Sequence, residues 1–223
     1  MSRLKAIQGL KFPDPYVVRF FFKSGLAGRP GTVLEAGCGN GSNLMLFREY
    51  GWNTIGIDIN PRALADAEAN FAAVPEPGAG FRVLQHDLTP GLPAGLPADL
   101  DAVTFPSSLY YLPRGSVVRV LADSRRLCRP GAAFYLRMRT PRDFRYGRGE
   151  PVETNGFRLA DNITGEQGVL NVFYHEYELV DMLRDHLGAD GGSLRVLHVE
   201  YENVQNDVIV SNSDVVVWGR LRG

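Results

Sequence analysis

The stretch Thr32-Val33-Leu34-Glu35-Ala36-Gly37-Cys38-Gly39-Asn40-Gly41-Ser42 decides how this chain folds. A short, β-branched apolar run reads as a buried strand ending at Glu35. Glycines follow at every second position, and a helix opens at Ser42. Without a Cβ at 37, 39 and 41 the backbone can pass very close to a ligand. A loop built for a pyrophosphate alone gains little from the acid in front of it. A ligand carrying an amine and ribose hydroxyls gains a partner. The competing reading is the dinucleotide fingerprint G-x-G-x-x-G, and the run from Gly37 to Ser42 places its third glycine one residue early for it.

Downstream, strands and helices alternate. Expected strands are Thr32–Glu35, Thr54–Asp58, Phe81–Gln85, Asp101–Phe105 and Ala132–Met138; expected helices are Ser42–Tyr50, Pro61 to about Phe71, and Ser116–Cys128. Short connections between them predict an α/β fold, a mostly parallel sheet with helices on both faces. Pro75 to Gly80 links helix to strand, and Pro90 to Pro97 leaves little room for a helix in its crossover. Arg139 to about Leu170 is polar and turn-rich, with room for a small hairpin. Tyr177–Leu187 reads as a helix, and Ser193–Glu202 and Ser213–Leu221 as two strands joined by a loop holding Asn203, Asn206 and Asn212. Ahead of the glycines, Asp14-Pro15 is an N-cap followed by proline at the first helical position, with Gly25 as the stop. Packing is the expected role of that helix's aromatic face, and a lid is the alternative.

In an open parallel sheet, ligands sit beyond the carboxyl ends of the strands. The first strand delivers Glu35 and the glycines. The second delivers Asp58, suited to two ribose hydroxyls, while Asn60 is the better cap for the helix at Pro61. The third delivers His86-Asp87-Leu88, and the fourth Phe105 and then Tyr110-Tyr111. This set resembles the class I S-adenosylmethionine (SAM) dependent methyltransferases, whose first motif reads E/D-x-G-x-G-x-G. The resemblance is good from Thr32 to Met138, holds in outline for the C-terminal strands, and does not extend to the segment between. It implies a Rossmann-like, mostly parallel seven-stranded sheet with an antiparallel C-terminal strand, in a single domain. Residues 1–30 would then form a leading helix or lid, and 139–172 a variable substrate-side insert. It also implies SAM as cofactor, held by Glu35, Gly37, Cys38, Gly39, Gly41, Asp58, Ile59, Asp87, Leu88 and Phe105. Asp87 would take the adenine amino group. The turn Leu127-Cys128-Arg129-Pro130-Gly131-Ala132 resembles the family's Leu-x-Pro-Gly-Gly, with Ala132 in place of the second glycine. No Asn/Asp-Pro-Pro-Tyr is present, which argues against DNA adenine methylation.

At 223 residues with net charge −1, the chain is short for a dehydrogenase with two full domains, and it has no basic stripe for nucleic acid or an anionic membrane. Its two cysteines make a disulfide framework unexpected; Cys38 reads as a small group in a tight turn. No apolar stretch is long enough to span a bilayer, and a cytoplasmic location is expected. No Cys-x-x-Cys appears, and no metal is expected.

Methyl transfer is an in-line displacement, helped by alignment and exclusion of water. A hydroxyl acceptor needs a base and a neutral amine does not. Tyr110, Tyr111 and His175 are the candidate catalytic residues, with Glu176 beside them. Five arginines follow the fifth strand, at 137, 139, 142, 145 and 148. Arg137 or Arg139 would take a carboxylate or phosphate on the acceptor. The expected acceptor is a small polar metabolite methylated at O or N. The alternatives are a protein or peptide acceptor, a SAM-binding sensor without turnover and, more distantly, an NAD-binding oxidoreductase.

Overall fold

The computed structural model describes residues 3–74 and 78–223. Strand β1 (Thr32–Ala36) is an interior strand of a seven-stranded sheet. The others are β2 (Asn53–Asp58), β3 (Phe81–Gln85), β4 (Leu100–Pro106), β5 (Cys128–Arg139) and, after an insert, the hairpin Arg195–Gln205 and Val208–Arg220. Spatial order is β3-β2-β1-β4-β5, then Val208–Arg220, then Arg195–Gln205 at the edge. Val208–Arg220 runs antiparallel to both neighbours, and the pairs from β3 across to β5 are parallel.

Apolar residues alternate along β1. Leu34 and Ala36 face a core closed by helix Arg114–Leu127 and the late helical segment, whereas Val33 faces a second core with Phe20, Phe47 and Trp52. A sheet buried on both faces needs this double set of apolar side chains. After β1 the chain builds outward through β2 and β3, then returns to place β4 on β1's other side. The crevice therefore opens between the ends of β1 and β4.

The helix expected at Asp14 spans Pro15–Lys23, with Asp14 accepting from the Tyr16 amide at 2.7 Å. Val17, Phe20 and Phe21 are buried, and Phe21 meets the Phe47 ring at 4.9 Å, so this face packs on the core. Four local expectations need correction. Cys128 opens β5 rather than closing the preceding helix. The late helix divides into Glu176–Met182 and a π-helical turn, Leu183–Leu187, ended by left-handed Gly188. The insert holds a three-stranded antiparallel sheet, Gly149–Glu153, Gly156–Leu159 and Leu170–Val172, where a hairpin was expected. The C-terminal strands run further than expected and meet at Asn206-Asp207, both at positive φ (47° and 60°), leaving Asn203 and Asn212 inside strands. Two residues at positive φ give the tight turn whose twist suits a hairpin. Of the Pro75–Gly80 link, Pro75 to Pro77 lie outside the described residues.

Candidate functional site

The glycine loop is pinned to β2: the Gly37 and Cys38 amides donate to the Ile57 carbonyl at 2.7 and 3.0 Å. Gly37 has φ +80°, and a Cβ there would lie 2.2 Å from the Ser108 Cβ, so its backbone must cross close under the segment after β4. Gly39 has φ +53° and nothing within 4 Å of where a Cβ would stand. One glycine is thus required by packing, the other by a conformation whose outer side stays open. Gly41 caps helix Ser42–Glu49 in the left-handed region.

Asp58 ends β2 with two amides on its carboxylate, Gly39 at 2.8 Å and Asn60 at 2.9 Å. Asn60 itself caps helix Pro61–Ala73, accepting from Arg62 at 3.0 Å. The cap role being filled, Asp58 faces a cleft. That cleft measures about 290 Å³ and is lined by Gly37, Asp58, Ile59, His86, Asp87, Leu88, Ser107, Ser108, Tyr111 and Leu112. Asp87 is exposed on its wall. The amide and hydroxyl of Thr89 donate to it, holding its carboxyl below the usual range. Ile59 is 62% exposed, an apolar surface at the mouth with no protein partner covering it. The loops after four strands therefore contribute to one cleft.

Other expected site residues lie elsewhere. Glu35 is fully buried beneath the loop, accepting from Thr104 Oγ1 at 2.9 Å and Asn43 Nδ2 at 3.3 Å. Desolvation raises its pKa to about 8. Its contacts support the strand–loop junction and do not line the cleft. Phe105 is buried in the core. Cys38 is buried against Gly56, and burial pushes its thiol well up, which fits a small packing group. His175 is the exposed N-cap of Glu176–Met182, its ring stacked on Tyr177 at 5.5 Å.

The tyrosines and arginines form one network. Tyr110 is buried, with the Arg139 guanidinium 4.3 Å from its ring centre. Tyr111 lines the cleft and donates to Glu166 Oε1 at 2.7 Å. Burial raises the pKa of both phenols. Arg139 pairs with Glu166 at 2.8 Å and also reaches Asn171. Arg137 is held between Asp14 at 2.7 Å and Asp214 at 2.6 Å. Both guanidiniums expected to meet an acceptor are thus engaged by internal carboxylates. Sequence reasoning missed Ser107, Ser108 and Glu166. The first two followed a strand whose end was already in view. Ser107 stands at φ +58°, a backbone state for which a serine gives no signal. Glu166 sits in a segment without a recognisable pattern.

The donor set fits SAM: an open glycine turn, an acid anchored by two amides, a second acid, and an exposed apolar side chain in one cleft. Comparison with known proteins agrees. Residues 33–131 match the family model described as a methyltransferase domain. A SAM-dependent methyltransferase of Methanosarcina mazei superposes with TM-score 0.69 at 21% identity, covering 95% of this chain and 100% of that one. The 1,6-didemethyltoxoflavin-N1-methyltransferase of Burkholderia thailandensis, solved with 1,6-didemethyltoxoflavin and S-adenosylhomocysteine, gives 0.57 at 18% identity, covering 94% and 77%. Magnesium protoporphyrin IX methyltransferase of Synechocystis, solved with SAM, gives 0.55 at 16%, covering 90% and 77%. Comparison with curated protein sequences gives no match. The fold is that of the class I SAM-dependent methyltransferases. Residues 33–131 thus resemble a methyltransferase domain, set in a fold shared with SAM-dependent methyltransferases.

Proposed function

We propose that this chain methylates a nitrogen or oxygen of a small polar metabolite, with nitrogen favoured. The observation that carries the reading is the cleft itself, where the residues suited to SAM stand beside Tyr111 within about 290 Å³. When bound, SAM supplies an electrophilic methyl on a cationic sulfur. Asp58 is suited to the ribose hydroxyls, Asp87 to the adenine amino group, and Ile59 and Leu88 to the faces of the base. The Gly37–Gly39 backbone is open to the methionine end.

Tyr111 stays a phenol and directs its proton to Glu166, so it acts as a fixed wall group and not as a base. Glu166, below the usual carboxylate range beside Arg139, is a weak base as well. A neutral amine needs neither, whereas a hydroxyl would. The engagement of Arg137 and Arg139 by carboxylates supports an acceptor without a buried anionic group.

The test is incubation of the protein with methyl-deuterated SAM and a metabolite extract of its host, read by untargeted mass spectrometry. The expected result is a labelled small molecule, lost with Asp58→Ala, whose fragmentation places the label on nitrogen. Label appearing only on protein would replace this reading with a macromolecular acceptor.

A further inference from the structure

Behind the cleft wall lies a cation. Arg139 stacks 4.3 Å from the Tyr110 ring centre and 5.4 Å from that of Tyr111, with Nη2 3.4 Å from the Tyr111 hydroxyl. Its side chain is 8% exposed. Facing it, the insert brings Glu166 against both groups: Oε1 accepts from Tyr111 at 2.7 Å and from Arg139 at 2.8 Å, while Oε2 takes Arg145. The two arginines are not equally dependent on it. Arg145 keeps Asp143 at 3.0 Å. Among the described residues Arg139 has no second carboxylate at ion-pair distance; its other side-chain partners, Asn171 and the Tyr111 hydroxyl, are neutral.

We propose that Glu166 is a positioning and specificity residue for the cationic cofactor: it neutralises Arg139 and fixes the Tyr111 hydroxyl, so that the cleft accepts a sulfonium. The proposal rests on SAM occupying this cleft. The sulfonium is carried on the ribose suited to Asp58, and Tyr111, which lines the same cleft, has the guanidinium 5.4 Å from its ring centre. An uncompensated guanidinium there would repel SAM and leave neutral S-adenosylhomocysteine nearly unaffected, because charge–charge interaction is weakly screened behind a buried wall. Sitting in the insert and not in the SAM-binding strands, Glu166 would thereby couple the chain's most individual segment to its shared chemistry.

The experiment is calorimetric titration of the intact chain with SAM and, separately, S-adenosylhomocysteine. Glu166→Gln keeps shape and removes charge. It is expected to weaken SAM about tenfold while changing S-adenosylhomocysteine less than about twofold. Combining it with Arg139→Gln removes both charges and is expected to return the ratio to within about twofold of wild type. Arg139→Gln alone, which leaves Glu166 its Arg145 partner, is expected to shift the ratio towards SAM, and it keeps the idea falsifiable if Glu166→Gln does not fold. Equal weakening of both ligands, or an unchanged ratio in either single variant, would overturn the proposal while leaving the cleft assignment intact. Absence of SAM binding by the wild-type chain would overturn both.

Discussion

The half of the molecule around the cleft and the insert use the same kinds of residue in opposite ways. Around the cleft, Asp58 and Asp87 take partners from nearby backbone amides or a hydroxyl, within reach of solvent. In and beside the insert, Asp143, Arg145 and Arg139 are buried, and Glu166 is half-buried against both arginines. A carboxylate satisfied by amides still has lone pairs for a ligand. One closed in an ion-pair network is already complete and can reach a ligand only through its charge. The difference teaches that charge near a cleft is a poor guide to binding unless its partners are known, as Arg137 and Arg139 show.

Glu35 tests this division hardest, being on the SAM side by sequence and buried by environment. Its carboxyl is raised from 4.5 to about 8, chiefly by desolvation. Between those values the folded chain keeps the proton and the unfolded chain has released it, so stability falls as pH rises. At about 1.4 kcal/mol per unit the full effect is roughly 5 kcal/mol. Glu35→Gln should remove that slope: denaturant unfolding at pH 5 and pH 8.5 should show the variant gaining on wild type at the higher pH. Parallel pH profiles would mean that Glu35 is solvated and belongs with the cleft acids.

Next in size is Asp143→Asn. The side chain is 1% exposed and carries Arg145 at 3.0 Å and the Ser213 amide at 3.2 Å. Removing one charge from a buried pair costs about 3 kcal/mol, here with affinity for the neutral S-adenosylhomocysteine unchanged. Asp58→Ala should do the reverse, weakening SAM about tenfold or more through lost hydrogen bonds of ~1.5–3 kcal/mol each, with a smaller loss of stability. Calorimetry and thermal unfolding on both variants complete the exchange. If each variant lost both properties alike, the contrast between the two regions would not stand.

What could be read from the sequence follows the same line. The parallel sheet was legible because β-branched runs ending in glycine or acid recur at short intervals, and Asp58, Asp87 and the glycines mark strand ends directly. The three-stranded sheet at Gly149–Val172 was not, since its strands of three to five residues are too short to show a period. Nor did any local pattern show that Glu166 meets Tyr111, 55 residues earlier in the chain. The inward turn of Glu35 depended on Thr104 and Asn43, partners that only the folded sheet brings near.

The smallest expected effect is the sharpest control. Arg142 and Arg145 lie three residues apart on the same segment, and each holds a carboxylate. Arg142 meets Glu200 at 2.7 Å with side chains 62% and 53% exposed, and Arg145 meets Asp143 with 6% and 1% exposed. Pair chemistry is shared and burial is not. An exposed pair gains little over hydration, loses side-chain freedom and is screened by salt. Glu200→Gln should therefore change unfolding free energy by less than about 0.5 kcal/mol, and that change should vanish in high salt. A loss as large as that of Asp143→Asn would show that the segment is held by the number of its ion pairs. Burial would then no longer explain why the arginines after β5 act on the fold and not on an acceptor.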